Sequence, residues 1–408
     1  RDYCINDLQT TYDLYKSLEK QVALRVSMSE QYGVDLRSKS DAQIAETVIK
    51  SELHKKTGKQ YRKPELPDGV TFKYQDPGII EFQTEQMQAV FEQVLTIRFG
   101  LGGNGAVKMP PELAKSKIKI GQAEYSMGIG GLHSCEKSQL VSAGKGEHLI
   151  DVDVASYYPN IILQQALAPK SMGAPFLKVY QSIVDRRIKA KHSGDKVTAN
   201  TLKIVVNGSF GKLGSKWSAL YAPELMLQTT ITGQLALLML IEAFELAGLR
   251  VYSANTDGVV VKCKADQVDA MRNICFDWML STSYELEETH YKALASRDVN
   301  NYVAVTTDGE LKRKGVFASG GLAKNPDCNI CFTAVGELLA NGTPISETIV
   351  NCKDVTQFVT VRKVTGGAKW RDEYLGKAVR FYYSKNVDPS INIEYVKNGN
   401  KVPKSDGS

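Results

Sequence analysis

The sequence predicts an α+β protein, an antiparallel sheet backed by helices, and three features carry that prediction. Leu149-Ile-Asp-Val-Asp-Val154 has period two, so Asp151 and Asp153 share one face of a strand and Val152 and Val154 the other. Val251-Tyr-Ser-Ala-Asn-Thr-Asp-Gly-Val-Val-Val-Lys262 reads as strand, tight turn and strand, a hairpin with a carboxylate at its tip. Residues 221–248 form a long apolar helical stretch suited to buried scaffold. At 408 residues the chain exceeds one ordinary core and fits two to four domains or subdomains.

Taken in order, residues 1–25 read as one helix. Leu8, Tyr12, Tyr15 and Leu18 recur at three- to four-residue spacing, and Tyr3 and Asp7 share a face. Residues 26–60 read as helical too, with Ser40-Asp41 as a cap ahead of Ile44, Val48 and Ile49. Pro64, Pro67-Asp-Gly69 and Pro77-Gly78 punctuate a loop-rich passage before a helix over 82–98. Gly100-Leu-Gly-Gly-Asn-Gly105 follows that helix and lacks the Lys-Ser/Thr of a phosphate loop, so it reads as a flexible turn. Met127-Gly-Ile-Gly-Gly-Leu-His-Ser134 has two readings: a glycine-rich hairpin, or a place where backbone approaches a nucleic-acid strand closely.

After the acidic strand, Ser156 and Pro159 suit a helix start. Residues 176–192 form an amphipathic basic helix in which Arg187 and Lys191 lie side by side. Thr198-Ala-Asn200 leads into a second helix that carries Lys203, Asn207 and Phe210 on one stripe. From Arg186 to Lys216 there are 8 basic residues and one acidic residue, Asp195, so this helical pair can grip a polyphosphate. Residues 265–282 read as helix, 299–318 as a second hairpin turning at Thr307-Asp-Gly309, and 331–341, 344–350 and 369–376 as helices. Tyr382, Tyr383 and Tyr395 sit among basic residues near the end.

Hydrophobic content of 43% and charged content of 24% are those of a soluble globular protein. No run of 18 apolar residues occurs, so no membrane partner is expected. Arg1 stands first and no signal-like apolar core follows, so the chain is expected to begin inside a longer natural protein. Seven cysteines point to reduced thiols in a cytoplasmic setting. Cys328-Asn-Ile-Cys331 lacks the two further ligands of a structural zinc site at suitable spacing. The net charge of +6 lies in the final quarter: residues 311–408 hold 15 Lys+Arg against 9 Asp+Glu, which fits a surface that follows a phosphate backbone.

A carboxylate strand, a basic helical hairpin and a carboxylate hairpin turn thus occur in order. Two carboxylates from separate strands can share two Mg²⁺ ions, with Mn²⁺ as a substitute, while cationic side chains neutralise the transferring phosphates. That is the equipment of nucleotidyl transfer.

At motif level the chain resembles family B DNA polymerases. Asp153-Val-Ala-Ser-Tyr-Tyr-Pro-Asn-Ile-Ile162 looks like that family's first palm motif, Asp-x-x-Ser-Leu-Tyr-Pro-Ser-Ile-Ile. Lys203-Ile-Val-Val-Asn-Gly-Ser-Phe-Gly211 resembles the fingers motif, Lys-x-x-x-Asn-Ser-x-Tyr-Gly, and Asn255-Thr-Asp-Gly258 the second palm motif, Asp-Thr-Asp-Ser. The likeness covers roughly residues 125–320, and the Gly-Gly-Leu-His-Ser run resembles bacteriophage-type members. Tyr3-Cys-Ile-Asn-Asp7 resembles the last motif of the family's 3′–5′ exonuclease, Tyr-x-x-x-Asp.

The resemblance implies a right-hand polymerase fold: an exonuclease remnant at 1–25, a helical connecting region at 26–125, palm at 126–175 and 213–310, fingers at 176–212, and a mixed α/β thumb and C-terminal region at 311–408. It implies template-directed DNA synthesis from dNTPs on a primer–template. Asp153 and Asp257 would hold the metal ions, with the Val154 carbonyl assisting. Arg187, Lys191 and Lys203 would bind the triphosphate and Asn207 would order that helix, with Ser156, Tyr157 and Phe210 also at the nucleotide. Tyr158 would exclude a ribose 2′-hydroxyl. Gly130, Gly131, Thr256, Tyr302, Lys312 and Lys314 would meet DNA. Asp7 alone cannot hold a two-metal exonuclease site, so no proofreading is expected from this chain. A longer parent or a separate exonuclease would supply it, and replication accessory proteins are further expected partners.

The sequence departs from the family pattern at four places. Asn255 stands for the first Asp of its motif, Gly258 for Ser, and Phe210 for Tyr, which puts fidelity in doubt. The usual Lys-Lys-x-Tyr appears as Val299-Asn-Asn-Tyr302. The interval from Asp153 to Lys203 leaves short fingers, without the large insertion there of protein-primed members. A self- or protein-primed polymerase and a catalytically silent primer–template binder are the alternatives.

Overall fold

A computed structural model describes residues 2–318, 324–388 and 390–407. Its helices are α1 (Asp2–Tyr32), α2 (Asp41–Thr57), α3 (Glu85–Thr96), α4 (Pro111–Ala114), α5 (Tyr157–Gln164), α6 (Ala174–His192), α7 (Lys196–Leu213), α8 (Pro223–Leu246), α9 (Val268–Thr282), α10 (Ile330–Asn341) and α11 (Ile345–Asn351). Its strands are β1 (Thr71–Lys73), β2 (Arg98–Gly100), β3 (Ile118–Ile120), β4 (Ala123–Met127), β5 (Leu132–Ser134), β6 (Gln139–Ser142), β7 (Glu147–Val154), β8 (Arg250–Asn255), β9 (Gly258–Lys264), β10 (Leu286–Asp298), β11 (Asn301–Thr306), β12 (Leu311–Arg313), β13 (Thr360–Trp370), β14 (Glu373–Phe381) and β15 (Ile393–Tyr395). The α+β class holds: helices and antiparallel pairings make up the chain.

Two compact units divide the molecule: residues 1–134, 152–261 and 267–288 form the first, residues 135–151, 262–266 and 289–408 the second. In the first, the hydrogen-bonded strand order is β3-β4-β5-β8-β9-β7, and β3-β4, β4-β5 and β5-β8 are antiparallel. Helix α8 is its scaffold. By length and composition it could cross a membrane, but 78% of its most apolar window is buried within the fold. A polar side chain inside that helix fixes a neighbour. Glu242, 1% exposed, accepts from Gln83 N and Thr84 N at 2.9 Å and from Thr84 Oγ1 at 2.6 Å, while Thr84 caps α3. A carboxylate at a helix N-terminus meets unpaired N–H groups and the positive end of the macrodipole.

Helices α2, α6 and α7 share one apolar cluster that includes Ile44, Val48, Tyr180, Ile183, Leu202 and Val206. Ser40 caps α2, as the sequence predicted, and Gln43 completes a capping box with it. Helix α2 meets α7 at Gly208, where an added Cβ would lie 2.7 Å from the Ala45 Cβ. Beside that contact Lys212 pairs with half-buried Glu46 at 3.2 Å.

The second unit carries the order β12-β11-β10, with β6 also on β10, and a separate sheet β14-β13-β15 around Val364, Val379 and Phe381. This corrects the helix expected at 369–376. Arg371 takes φ 54°, and the chain turns there from β13 into β14, with Trp370 opposite Glu373. The charged run Lys369–Glu373 suits a helix locally, but pairing on both sides of the turn outweighs that weak preference. Smaller corrections concern ends. Helix α1 runs on to Tyr32, α3 stops at Thr96 ahead of β2, and α7 starts at Lys196, where the Asp195 carboxylate accepts from Thr198 N at 3.0 Å.

Also in the second unit, Tyr291 donates its hydroxyl to Asp151, and Lys312 and Lys314 hold that carboxyl's pKa down against burial, which raises it overall. The folded state therefore binds this proton more tightly than the unfolded chain, and stability falls as pH rises from the ordinary carboxylate range through the raised pKa. Asp151→Asn should be as stable as the parent or more stable at pH 7, with the difference shrinking toward pH 4. Thermal unfolding at the two pH values checks this, and a difference that grows on acidification would refute it.

Candidate active site

All of the carboxylate turn and the basic hairpin lie in the first unit, and main-chain bonds bring the two acidic segments together. Strand β7 alternates as expected at its end, with Val152 and Val154 buried and Asp153 exposed. The Val154 N–H donates to the Asp257 carbonyl at 2.7 Å, so each carboxylate-bearing segment fixes the other through backbone. Asp257 is itself exposed at the β8–β9 turn, where Thr256 takes φ 62° and the Asp257 N–H bonds the Asn255 carbonyl at 2.7 Å. Position 255 thus contributes a turn acceptor whatever its side chain.

The glycine-rich run Met127–Ser134 forms a hairpin between β4 and β5, and that hairpin braces the turn. Thr256 N–H donates to the Leu132 carbonyl at 2.8 Å. A Cβ on Gly131 would fall 2.8 Å from Thr256 Oγ1 and 3.1 Å from its Cα, so no side chain fits there. Gln234, 1% exposed in α8, clamps Gly128 from the other side: Gly128 N–H reaches its Oε1 at 2.9 Å and its Nε2 reaches the Gly128 carbonyl at 2.8 Å. The sequence reading missed Gln234. Its only signal is an amide inside an apolar run, where an unpaired carboxamide would be costly.

After Val154 the chain turns through Ser156, held at φ 49°, into α5. The serine does not cap the helix with its side chain; its hydroxyl instead accepts from Arg187 Nη1 at 2.7 Å, which fixes α6 to the turn. Tyr157 is buried and donates to the Gly233 carbonyl at 2.6 Å, so what it supplies is position for its neighbour. Tyr158 is half-buried. Its hydroxyl donates to the Gly130 carbonyl at 2.6 Å, and its ring lies 4.3 Å from that of Phe210. Burial and the Asp257 charge both raise the Tyr158 pKa, so its hydroxyl stays protonated.

Of the basic residues, Lys203 and Asn207 are exposed on α7 and Arg187 is half-buried on α6. Lys191 pairs with Glu287 at 2.7 Å, and both side chains are more than half exposed. Such a pair contributes little, about 1 kcal/mol at most, so an incoming phosphate could displace the glutamate. The remaining expected residues lie elsewhere. Tyr302 on β11, Lys312 on β12 and Lys314 directly after β12 belong to the second unit, where the Lys314 ammonium lies 5.9 Å from the Tyr302 ring centroid and Lys312 Nζ reaches Thr289 Oγ1 at 3.1 Å. Tyr3 and Asp7 are exposed on α1, away from any described carboxylate group that could complete a metal site.

Among the described residues, no three His, Cys, Asp or Glu side chains form a metal-binding group. Two exposed carboxylates on segments joined by a backbone bond are nevertheless a hard-oxygen donor set. They suit Mg²⁺, which commonly takes one or two protein carboxylates and completes its shell from water and substrate phosphates.

The fold and the site together describe an α+β protein with two backbone-bonded segments, each carrying an exposed aspartate, and a cationic helical hairpin tied to the first of them through Arg187 and Ser156. No protein-family model matches the chain, and no curated protein matches it by sequence. Among solved structures it is similar to the family B DNA polymerase of the hyperthermophilic archaeon Pyrobaculum calidifontis, with a TM-score of 0.50 and 15% sequence identity. The match covers 91% of this chain and 46% of that one, so the chain spans about half the length of that polymerase.

Proposed function

We propose that this chain is the core of a template-directed DNA polymerase that adds dNTPs to a primer 3′-hydroxyl, in the right-hand layout. The carrying observation is the juxtaposition of Asp153 and Asp257 through the Val154–Asp257 backbone bond. The structural likeness to a family B DNA polymerase supports the same reading at the level of fold.

In this reading Asp153, Asp257 and the Val154 carbonyl would hold two Mg²⁺ ions, which when bound would acidify the primer hydroxyl and neutralise charge on the phosphates. Arg187, Lys191 and Lys203 would draw the triphosphate onto the exposed side of α6 and α7 and offset charge as pyrophosphate leaves. Arg187 reaches the turn through Ser156, so phosphate binding and carboxylate placement share one contact. Tyr158, pinned by the Gly130 carbonyl and packed on Phe210, would present a fixed ring to the sugar. A ribose 2′-hydroxyl would have to push against a side chain with no room to yield. Tyr302, Lys312 and Lys314 would contact primer–template DNA. A bacteriophage or other mobile-element origin with synthesis in the host cytoplasm, and proofreading from elsewhere, complete the proposal.

Primer extension on a recessed primer–template with dNTPs and Mg²⁺ tests it. Extension is expected, with no primer shortening when dNTPs are withheld. No extension despite tight DNA binding would favour the silent binder, and product without a primer the self-priming alternative. In the same assay Tyr158→Ala should lower discrimination against rNTPs by about 10- to 200-fold, the range that a steric contact of this size provides. Unchanged discrimination would remove Tyr158 from that role.

A further inference from the structure

Between α7 and α8 the chain exposes a tryptophan: Trp217 is 73% accessible, although Ser218, Ala219 and Leu220 directly after it are buried. Its loop is held firmly. Ala219 N–H donates to Glu46 Oε1 at 2.9 Å and Lys216 Nζ to the Gly103 carbonyl at 2.9 Å. Tyr221 Oη donates to the Gly105 carbonyl at 2.6 Å. The glycine-rich loop is thus a backing for this segment. Gly105 has φ 76°, and a Cβ there would meet the Lys216 Cβ at 2.7 Å. Two ammonium groups, Lys63 Nζ and Lys216 Nζ, lie 5.3 Å and 5.2 Å from the Trp217 ring centroid. Lys63 ends a stretch of sequence that carries three further exposed basic residues, Lys56, Lys59 and Arg62, and no acidic residue from 56 to 63. A cleft of about 530 Å³ opens beside it, bounded by residues 63–70, which include Glu65 and Asp68, by residues 101–103 and Gly105, and by Lys216 and Tyr221.

We propose that Trp217, with Lys63 and Lys216, is a stacking platform for single-stranded nucleic acid, and, resting on the polymerase reading, for the unpaired part of the template strand. A rigid exposed aromatic among cations is what sequence-tolerant single-strand binding requires: the ring takes a base, the cations take flanking phosphates. The magnitudes favour exchange. An exposed lysine–aromatic contact is worth about 0.5–1 kcal/mol, whereas base stacking on an aromatic is worth about 1–3 kcal/mol. A base would therefore displace the Lys63 ammonium from the ring and leave it to pair with a flanking phosphate, while Lys216 Nζ, held on the Gly103 carbonyl, keeps its positive charge beside the ring.

Fluorescence anisotropy of a labelled oligo(dT) of about 12 nucleotides, within the usual site size, tests the proposal on the full chain. Trp217→Ala should weaken binding roughly tenfold and Trp217→Phe much less, since phenylalanine keeps a stacking face. Lys63→Ala should lower the slope of log affinity against log salt by about 0.7. Equal circular dichroism and thermal unfolding would show that the variants fold. Trp217→Ala binding within a factor of two of the parent, or a parent that does not bind oligo(dT), would overturn the proposal. So would Trp217-dependent binding to phosphatidylserine vesicles without oligonucleotide binding, which would make the surface a lipid contact. Primer extension by the parent separates the two ideas. Extension with Trp217→Ala binding unchanged defeats only the platform; no extension in the parent defeats the polymerase reading itself.

Discussion

Asp257→Asn and Asp153→Asn should each reduce nucleotidyl transfer by at least about a thousandfold, equivalent to ~4 kcal/mol of lost transition-state stabilisation. The amide keeps the size of the side chain but removes the negative charge that would hold a hard cation. Both side chains are exposed, so neither substitution leaves a buried cavity or strands a core donor. What fixes the two segments, the bond from Val154 N–H to the Asp257 carbonyl, involves no side-chain atom and survives both changes. Single-turnover primer extension beside a thermal melt checks the pair of expectations. Loss of activity with an unchanged melt is the expected result. Near-normal extension by either variant would show that its carboxylate holds no essential ion.

The largest effect on stability is expected at Glu242, which the proposed chemistry does not use. Glu242→Ala removes three accepted bonds, two of them from backbone N–H groups at the start of α3. Each bond to a charged group is worth about 1.5–3 kcal/mol and each stranded donor costs about 1–3 kcal/mol, so a loss of ~4 kcal/mol follows even when the terms overlap. Glu242→Gln keeps one carbonyl acceptor and should lose about half as much. Denaturant midpoints of the two variants against the parent give the comparison. A Glu242→Ala loss below about 1 kcal/mol would mean that α3 finds other partners on α8.

The parts of the site legible in the sequence were those written in short stretches. The alternation of Asp151 to Val154 and the Asn255–Gly258 turn depend on neighbours in the chain, and both took the expected form. The capping box at Ser40 and Gln43 is local in the same sense. What the sequence hid depends on distant partners. Gln234 looks like a misplaced polar residue until Gly128 is set against it, and Ser156 looks like a helix cap until Arg187 claims its hydroxyl. Strand β10, 13 residues long, also escaped notice, and it pairs with β6 and β11, which lie on either side of it in the chain. The helix expected at 369–376 failed for a related reason, since register with residues up to 21 positions away, Thr360 opposite Phe381, decided that segment. Charge, by contrast, located the basic hairpin without saying which cations would be engaged; only coordinates show Lys191 on Glu287 and Lys203 exposed.

The bond between Val154 and Asp257 also bears on which substitutions this part of the fold tolerates. A spacing held by peptide groups places few demands on the identity of the residues that carry them. Neighbouring positions are free to drift as long as a strand, a tight turn and one small residue at 131 persist. Substitution at those neighbouring positions would then leave the separation of the two acidic segments intact, because the groups that set it are the same in every residue.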